Sequence, residues 1–298
     1  MRTTLQPRLV QLTTRSGIEV RRTLPHREIR TIGAWCFLDD YGPNFEPSAM
    51  SVAAHPHAGL QTVTWLFEGE VEHRDSLGSV AIIRPGQLNI MTAGKGISHS
   101  ELSTKDSQAL HGVQLWTVLP SADQYAEPTF DHYESLPTFA IGNFDIRLFM
   151  GAMNGHDAHT KNFSPLVGAE IKVAASIRQD FELNSNFEYG FLIIEGSLTI
   201  DEVVIEAGEL HFIDQGVNKI TISSLSGSKF LLLGGEPFTE EIIMWWNFIA
   251  RSHEQIVELR EKWNNHSPEF PRFEDRIGGR IPAPALPNMH LSPRGSRR

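Results

Sequence analysis

Two short segments of the chain carry pairs of metal-ligating side chains at a spacing of two residues. His55 and His57 flank a proline, and His99 and Glu101 flank a serine. Residues two apart on an extended segment point to the same side, so both members of each pair can face one ion. If the segments face each other, three imidazole nitrogens and one carboxylate oxygen converge. The sequence therefore predicts a metal site formed by His55, His57, His99 and Glu101.

The identity of the metal stays open at this point. Three His and one carboxylate leave one or two positions free on a five- or six-coordinate ion, which suits Fe(II), Mn(II), Ni(II) or Cu(II). A closed structural zinc site more often uses cysteine, and the chain has only Cys36. That residue lies in an apolar run, which favours buried packing over a reactive thiol. A single His-x-His pair also occurs in loops that bind nothing, so the paired spacing carries the hypothesis.

The elements that must position these side chains are short apolar runs separated by Gly, Pro, Asn and Asp. Such runs are typical of an all-β sandwich or barrel. Many are rich in β-branched and aromatic residues, as in the sequence QTVTWLF at 61–67. The predicted strands are 61–67, 80–83, 88–91, 113–119, 146–149, 191–194, 198–200 and 230–233.

The two halves of the chain share a rhythm of strand, Gly turn, strand, Gly turn and strand. The sequence FEGE at 67–70 corresponds to IEGS at 194–197, and RPGQL at 84–88 corresponds to EAGEL at 206–210. This weak repeat predicts two similar jelly-roll-type β-barrels in tandem. We place the barrel that carries the predicted ligands at 1–135, a second barrel at 136–238, and a C-terminal helix with a Pro-rich tail at 239–298.

The C-terminal region departs from the β pattern. Apolar residues recur at helical spacing over 238–264, which predicts a helix there with Thr239 as its N-cap. We expect this helix to pack across a barrel. The remainder, 265–298, carries six prolines and is expected to run extended over the surface or to be partly disordered.

Other polar residues support more than one interpretation. His73 and Asp75 share a face, and they either orient a metal ligand from behind or stabilise a turn. His111 is a candidate for lining a pocket. His211 stands on a predicted strand without a second ligand nearby, which favours packing in the core or the lumen.

Composition excludes several classes of function. The net charge is -10, and basic residues are not clustered outside the extreme C-terminus, which argues against direct nucleic-acid binding. No apolar stretch approaches the roughly 20 residues that a membrane-spanning helix needs. The N-terminal stretch also lacks the apolar core of a secretory signal. We therefore expect a cytoplasmic protein.

The motifs around the predicted ligands resemble those of the pirin family, within the cupin superfamily. HPHAGLQTV at 55–63 is similar to the first pirin signature, and MTAGKGISHSE at 91–101 is similar to the second. HRDSLG at 73–78, PGQ at 85–87 and HGVQLW at 111–116 continue the pattern. The resemblance is strong over about residues 30–120. The second half fits the family in length and layout with less specific motifs.

This resemblance implies a bicupin with one iron in its N-terminal barrel, held by His55, His57, His99 and Glu101. It also implies a C-terminal barrel without metal. Some bacterial pirins have quercetin 2,3-dioxygenase activity, and animal members act as transcription co-regulators through protein partners. The tail at 265–298 departs from the shorter members of the family.

Three functions follow as hypotheses. The first is a metal-dependent dioxygenase that uses O₂ on a flavonol such as quercetin, with Glu101 also acting as the catalytic base. The alternative is a regulatory protein in which the redox state of the metal changes the binding of a protein partner. In the third, the metal only stabilises the barrel, so that chelation lowers thermal stability and affects no activity.

Overall fold

The computed structural model describes residues 1–12, 19–45, 50–104, 109–173, 176–225 and 227–297. Strands dominate these residues, and every strand predicted from the sequence is confirmed. The strands of the first half are β1 (Arg2–Leu5), β2 (Arg8–Gln11), β3 (Glu19–Leu24), β4 (Trp35–Asn44), β5 (Ser51–His57), β6 (Leu60–Glu68), β7 (Val71–Asp75), β8 (Val80–Ile83), β9 (Leu88–Thr92), β10 (Ile97–Ser103), β11 (Leu110–Val118) and β12 (Thr129–Tyr133).

The remaining elements carry the second half and the C-terminal region. They are β13 (Thr138–Ile141), β14 (Phe144–Met153), β15 (His156–Asp157), β16 (Leu166–Val173), β17 (Ile177–Glu182), β18 (Glu188–Glu195), β19 (Ser197–Ile200), β20 (Val203–Glu206), β21 (Leu210–Ile213), β22 (Lys219–Ser224), β23 (Ser228–Gly235), β24 (Ile243–Trp245), β25 (Phe248–Ala250) and α1 (His253–Asn264).

Each half consists of one large and one small antiparallel sheet. In the first half the large sheet has the order β12-β9-β6-β11-β4-β3-β2, and the small sheet has the order β5-β10-β7-β8. β6 and β9 are buried on both faces, because one face of the large sheet packs against the small sheet and the other packs against the second half of the chain. The fold is therefore the predicted tandem cupin architecture, although each unit is a jelly-roll sandwich rather than a closed barrel.

The second half repeats this arrangement, with the short strand β15 added beside β14. Its small sheet has the order β17-β22-β19-β20, and its large sheet contains the run β1-β21-β18-β23-β16-β14-β13. The predicted internal repeat is thus confirmed. The edge strand of this large sheet is β1, from the N-terminus of the chain, where β12 occupies the equivalent edge in the first half. The exact boundaries at 135 and 238 stay predictions.

The large sheets of the two halves share one apolar core. The indole nitrogen of Trp35 donates to the carbonyl oxygens of Val167 and Gly234, both at 3.2 Å. The indole nitrogen of Trp65 donates to Glu170 Oε2 at 2.8 Å. Each large apolar ring is therefore buried with its polar N–H satisfied. These contacts hold the first half against the second.

The prediction of a single helix over residues 238–264 is wrong for the first half of that range. Residues 243–250 form the hairpin of β24 and β25, and α1 begins only at His253. Its N-cap is Ser252, not Thr239, and the Ser252 side chain and Gln255 form a reciprocal capping box. Trp246 has a φ of 53°, which no helix accommodates. Short apolar runs at this spacing occur in both strands and helices, so the pattern alone was ambiguous.

The tail after α1 runs extended across the molecule, in agreement with the first of the two predicted alternatives. The Ile281 amide donates to Ala54 O on β5 at 2.9 Å, and the Arg280 guanidinium lies 3.4 Å from the centre of the Trp263 ring. None of the described helices is long and apolar enough to cross a membrane. The cytoplasmic location stays a prediction.

Candidate metal centre

The predicted ligand segments are neighbouring antiparallel strands. β5 carries His55 and His57, β10 carries His99, and His99 lies directly opposite His55 in the register. The ring centroids of His55 and His99 are 4.3 Å apart, and that of His57 lies 5.1 Å from His55 and 5.0 Å from His99. One ligand atom from each imidazole lies within 4.8 Å of the other two. The structure therefore brings the three histidines together as the spacing predicted.

The three imidazoles are buried, and two of them keep a nitrogen without a hydrogen-bond partner among the described residues. Their exposed fractions are 7% for His55 and 2% each for His57 and His99. His57 Nδ1 and His99 Nε2 have no hydrogen-bond partner among the described residues. Buried polar atoms are almost always paired, so these two nitrogens are available as ligands for a metal ion. A divalent cation fits this donor set.

Burial keeps these imidazoles in the neutral form that a metal requires. It lowers the pKa of His55 to about 4, and it lowers the pKa of His57 and of His99 well below 6.5. The neighbouring imidazoles lower all three further, because they would become like charges on protonation. At neutral pH every ring therefore offers a lone pair.

Glu101 lies two residues further along β10 but outside the group of three. It pairs with Val52 on β5 and with His73 on β7, and the register shifts between His99 and Glu101. Only 8% of the residue is exposed, and burial raises the pKa of its carboxyl group to about 7. No described cationic side chain lies within 4 Å of it. Its assignment as fourth ligand and as catalytic base stays a prediction.

Asp75 stabilises a turn, and the orienting role of His73 and Asp75 stays a prediction. Asp75 Oδ1 accepts hydrogen bonds from the backbone amides of Leu77 and Ser79, which stabilises the turn after β7. Its other oxygen, Oδ2, lies 3.1 Å from His73 Nε2. His73 in turn contacts His99, so the pair also lies directly behind a predicted ligand.

The other predicted candidates lie elsewhere. His111 is buried against Asp40, with Nε2 to Oδ1 at 3.1 Å, and does not join the three histidines. His211 is buried on β21, where its Nδ1 lies 3.0 Å from the Thr4 hydroxyl. Cys36 is fully buried, and burial raises the pKa of its thiol far above the ordinary value. Packing therefore accounts for this cysteine.

Two aromatic neighbours of the site escaped the sequence analysis. The Trp116 ring on β11 packs edge-on against His57 with centroids 5.1 Å apart, and the Phe130 ring on β12 stacks on His73 at 4.2 Å. Both come from the large sheet, which faces the ligand strands across the sandwich. Single-sequence patterns do not specify contacts between sheets, so no signal identified them.

The β24–β25 hairpin covers the end of β5, the strand that carries His55 and His57. The sequence did not predict this contact. The Ile249 amide donates to Ala58 O at 3.0 Å, and Ala58 pairs with Phe248 in an isolated bridge. A Cβ atom added to Gly59 would lie 2.1 Å from Ile249 O. The glycine after the His-x-His segment therefore permits close approach of the hairpin.

Comparisons with known proteins agree with this geometry. The family model described as Pirin matches residues 17–117, and that of the pirin C-terminal cupin domain matches 168–269. A Pseudomonas aeruginosa protein named "Putative quercetin 2,3-dioxygenase" is 42% identical over 91% of this chain and 87% of its own length. A pirin-like protein of Caulobacter vibrioides is 34% identical over 90% of this chain and 95% of its own.

A solved structure of similar fold extends over nearly the whole chain. It is the crystal structure of a quercetin 2,3-dioxygenase from Acinetobacter baumannii, with a TM-score of 0.93 and 38% identity. The match covers 98% of this chain and 98% of that one.

Proposed function

The chain belongs to the pirin family, and from this premise we propose that it is a metal-dependent dioxygenase acting on quercetin-like flavonols. The observation that carries the proposal is the set of three converging buried imidazoles, two of which, those of His57 and His99, have a nitrogen without a hydrogen-bond partner among the described residues. The names of the relatives at 42% and 38% identity supply the substrate class. The substrates are then a flavonol and O₂.

His55, His57 and His99 would hold the ion, with Glu101 as fourth ligand. We propose Fe(II), in keeping with the family resemblance, while the same nitrogen and oxygen donors also accept Mn, Ni, Cu or Zn. A bound divalent ion supplies Lewis acidity that favours the deprotonated flavonol hydroxyl. The chain itself supplies a buried site from which bulk water is largely excluded.

Glu101 is the group proposed to move the substrate proton. Burial places the pKa of its carboxyl group at about 7, so a substantial ionised fraction exists at neutral pH. A base is most effective when its pKa is near the working pH. One carboxylate oxygen would accept the flavonol hydroxyl proton while the imidazoles stay neutral and in place.

The test is a paired assay of O₂ uptake and loss of flavonol absorbance with the metal-loaded protein. We expect turnover by the wild type and none by His57→Ala. His211→Ala is the matched control, because it removes a similarly buried imidazole from the second half. It should retain both metal and turnover.

A metal-loaded wild type that turns over no member of a flavonol panel would contradict the catalytic proposal. The metal centre itself would survive that result, and the regulatory alternative would then be favoured. Equal activity of His57→Ala and the wild type would contradict the role of the histidines.

A further inference from the structure

A buried hydrogen-bonded chain of three side chains lies on β7 and β10, behind the metal centre. Asp75 Oδ2 lies 3.1 Å from His73 Nε2, and His73 Nδ1 lies 3.3 Å from His99 Nδ1. The exposed fractions are 1% for Asp75, 4% for His73 and 2% for His99. Asp75 stands directly opposite His99 in the register, so the chain bridges two adjacent strands.

The donors and acceptors of this chain allow one arrangement of protons when Asp75 is ionised and both rings are neutral. A carboxylate only accepts, so His73 carries its proton on Nε2 and its Nδ1 is an acceptor. His99 must then donate from Nδ1. The lone pair of His99 is left on Nε2, which is the nitrogen without a hydrogen-bond partner among the described residues.

Three further contacts hold the side chains of His73 and Asp75 in place. The ring of Phe130 stacks on His73 with an interplanar angle of 9°, which fixes the plane of the imidazole. Asp75 Oδ1 accepts from the amides of Leu77 at 2.8 Å and Ser79 at 3.0 Å. Neither the Asp75 carboxylate nor the His73 ring can therefore rotate without breaking contacts that it already has.

We propose that Asp75 and His73 are positioning residues that select the tautomer and ring orientation of His99, so that Nε2 presents its lone pair to the metal. The inference rests on the proposed metal centre and deepens it. His55 and His57 are oriented by the backbone instead, because His55 Nδ1 lies 2.9 Å from the carbonyl oxygen of Ala53 and His57 forms a hydrogen bond with the backbone of Asn247. His99 is therefore the ligand whose tautomer depends on other side chains.

The Asp75→Asn substitution reverses the direction of the hydrogen bonds that join residue 75, His73 and His99, with little change in the shape of the side chain. The two backbone amides at Leu77 and Ser79 need an acceptor, so they hold the amide oxygen of Asn in the place of Oδ1. The NH₂ group then faces His73 Nε2 and donates to it. His73 must carry its proton on Nδ1, which forces the His99 proton onto Nε2 and blocks the metal-binding lone pair.

The first measurement is the tautomer of each imidazole in the metal-free protein, from long-range ¹H–¹⁵N NMR spectra. We expect the wild type to have Nδ1–H at His99 and Nε2–H at His73. In Asp75→Asn both assignments should exchange. The opposite tautomer of His99 in the wild type would overturn the proposal, even if the variant does not fold.

The second measurement is a Co(II) titration followed by its visible absorption. Asp75→Asn should bind Co(II) about 10 to 100 times more weakly than the wild type. Asp40→Asn is the control, since Asp40 forms another buried His–Asp pair, at the same 3.1 Å distance and away from the three histidines, in addition to its ion pair with Arg21. Its Co(II) affinity should stay within twofold of the wild type.

The outcomes separate this proposal from the one on which it rests. A wild type that binds no Co(II) at all contradicts the metal centre, and the NMR arm still decides the tautomers. A wild type that binds Co(II) while Asp75→Asn binds it equally well overturns the positioning role. Equal weakening by Asp40→Asn overturns it too, because general destabilisation would then explain both variants.

Discussion

Burial has opposite effects on the protonation of the two kinds of predicted ligand. It lowers the pKa of each imidazole, to about 4 for His55, and thereby keeps the rings neutral. It raises the pKa of the Glu101 carboxyl group to about 7, and thereby favours its protonated form below neutrality. In the metal-free protein the carboxyl group is therefore the predicted ligand that would have to release a proton on binding.

Metal affinity should consequently depend on pH through Glu101. Below about pH 7 the apparent association constant should rise about tenfold per pH unit, because binding releases one proton, and it should level off above that pH. Glu101→Gln should bind more weakly at pH 8 and lose this slope. Co(II) titrations between pH 5.5 and 8 measure both. The same pH dependence of the Co(II) association constant in the wild type and in Glu101→Gln would exclude Glu101 as a ligand.

At the residue scale, the sequence predicted the histidines better than the carboxylate. Strand alternation places His55 and His57 on one face whatever their surroundings. The position of Glu101 relative to them depends on the register shift between β10 and β5, which places Glu101 opposite Val52. A β-bulge has no reliable signature in a single sequence, so that geometry was not predictable.

At the scale of elements, the C-terminal hairpin matters because it packs on the ligand strand. The β24–β25 hairpin contacts the turn at Gly59, which has a φ of 75°. Apolar spacing predicted a helix here, because Ile, Trp and Phe in short runs fit either period. The hairpin is decided by contacts with residues nearly 200 positions earlier, and local patterns do not contain that information.

Gly59→Ala should therefore cost more stability than an equivalent glycine substitution in open space. Gly155 is the matched control, with a φ of 79° and no atom within 4 Å of an added Cβ. Both variants pay about 1 to 2 kcal/mol for the left-handed conformation. Gly59→Ala should lose about 1 to 3 kcal/mol more, because its Cβ would overlap Ile249 O.

Urea unfolding of the two glycine variants beside the wild type measures this difference. Equal losses of unfolding free energy would mean that the hairpin moves away from the added Cβ atom without loss of stability. In that case it would not hold the ligand strand in place.

At the scale of the whole molecule, the end of the tail ties the two halves together. Arg297 forms an ion pair with Glu188 of β18, whose side chain is fully buried, and donates to Thr31 O at 2.9 Å. Glu188 also accepts a hydrogen bond from the Gly33 amide. The matched Gly turns predicted the tandem repeat. The contacts of Arg297 and Glu188 were not predictable, because they join residues more than 100 positions apart and no local sequence pattern marks them.

Arg297→Gln should destabilise the protein by about 3 to 5 kcal/mol, because it leaves the buried Glu188 carboxylate without its cation. Arg294→Gln is the control, since its exposed side chain forms no ion pair with the described residues, and should change stability by less than about 0.5 kcal/mol. The double variant Glu188→Gln/Arg297→Gln should recover part of the loss. Chemical denaturation measures the unfolding free energy of all three variants. Equal values for Arg297→Gln and Arg294→Gln would show that the Arg297–Glu188 ion pair does not stabilise the protein.

The central claim is that the three histidines hold one divalent metal ion, and anomalous diffraction from iron-loaded crystals tests it most directly. Data collected on either side of the iron absorption edge should yield one strong difference peak per chain, among the imidazole nitrogens of His55, His57 and His99. The same crystals of His57→Ala should lack it. A loaded wild-type crystal with no peak at these nitrogens, or with its peak elsewhere, would contradict the account.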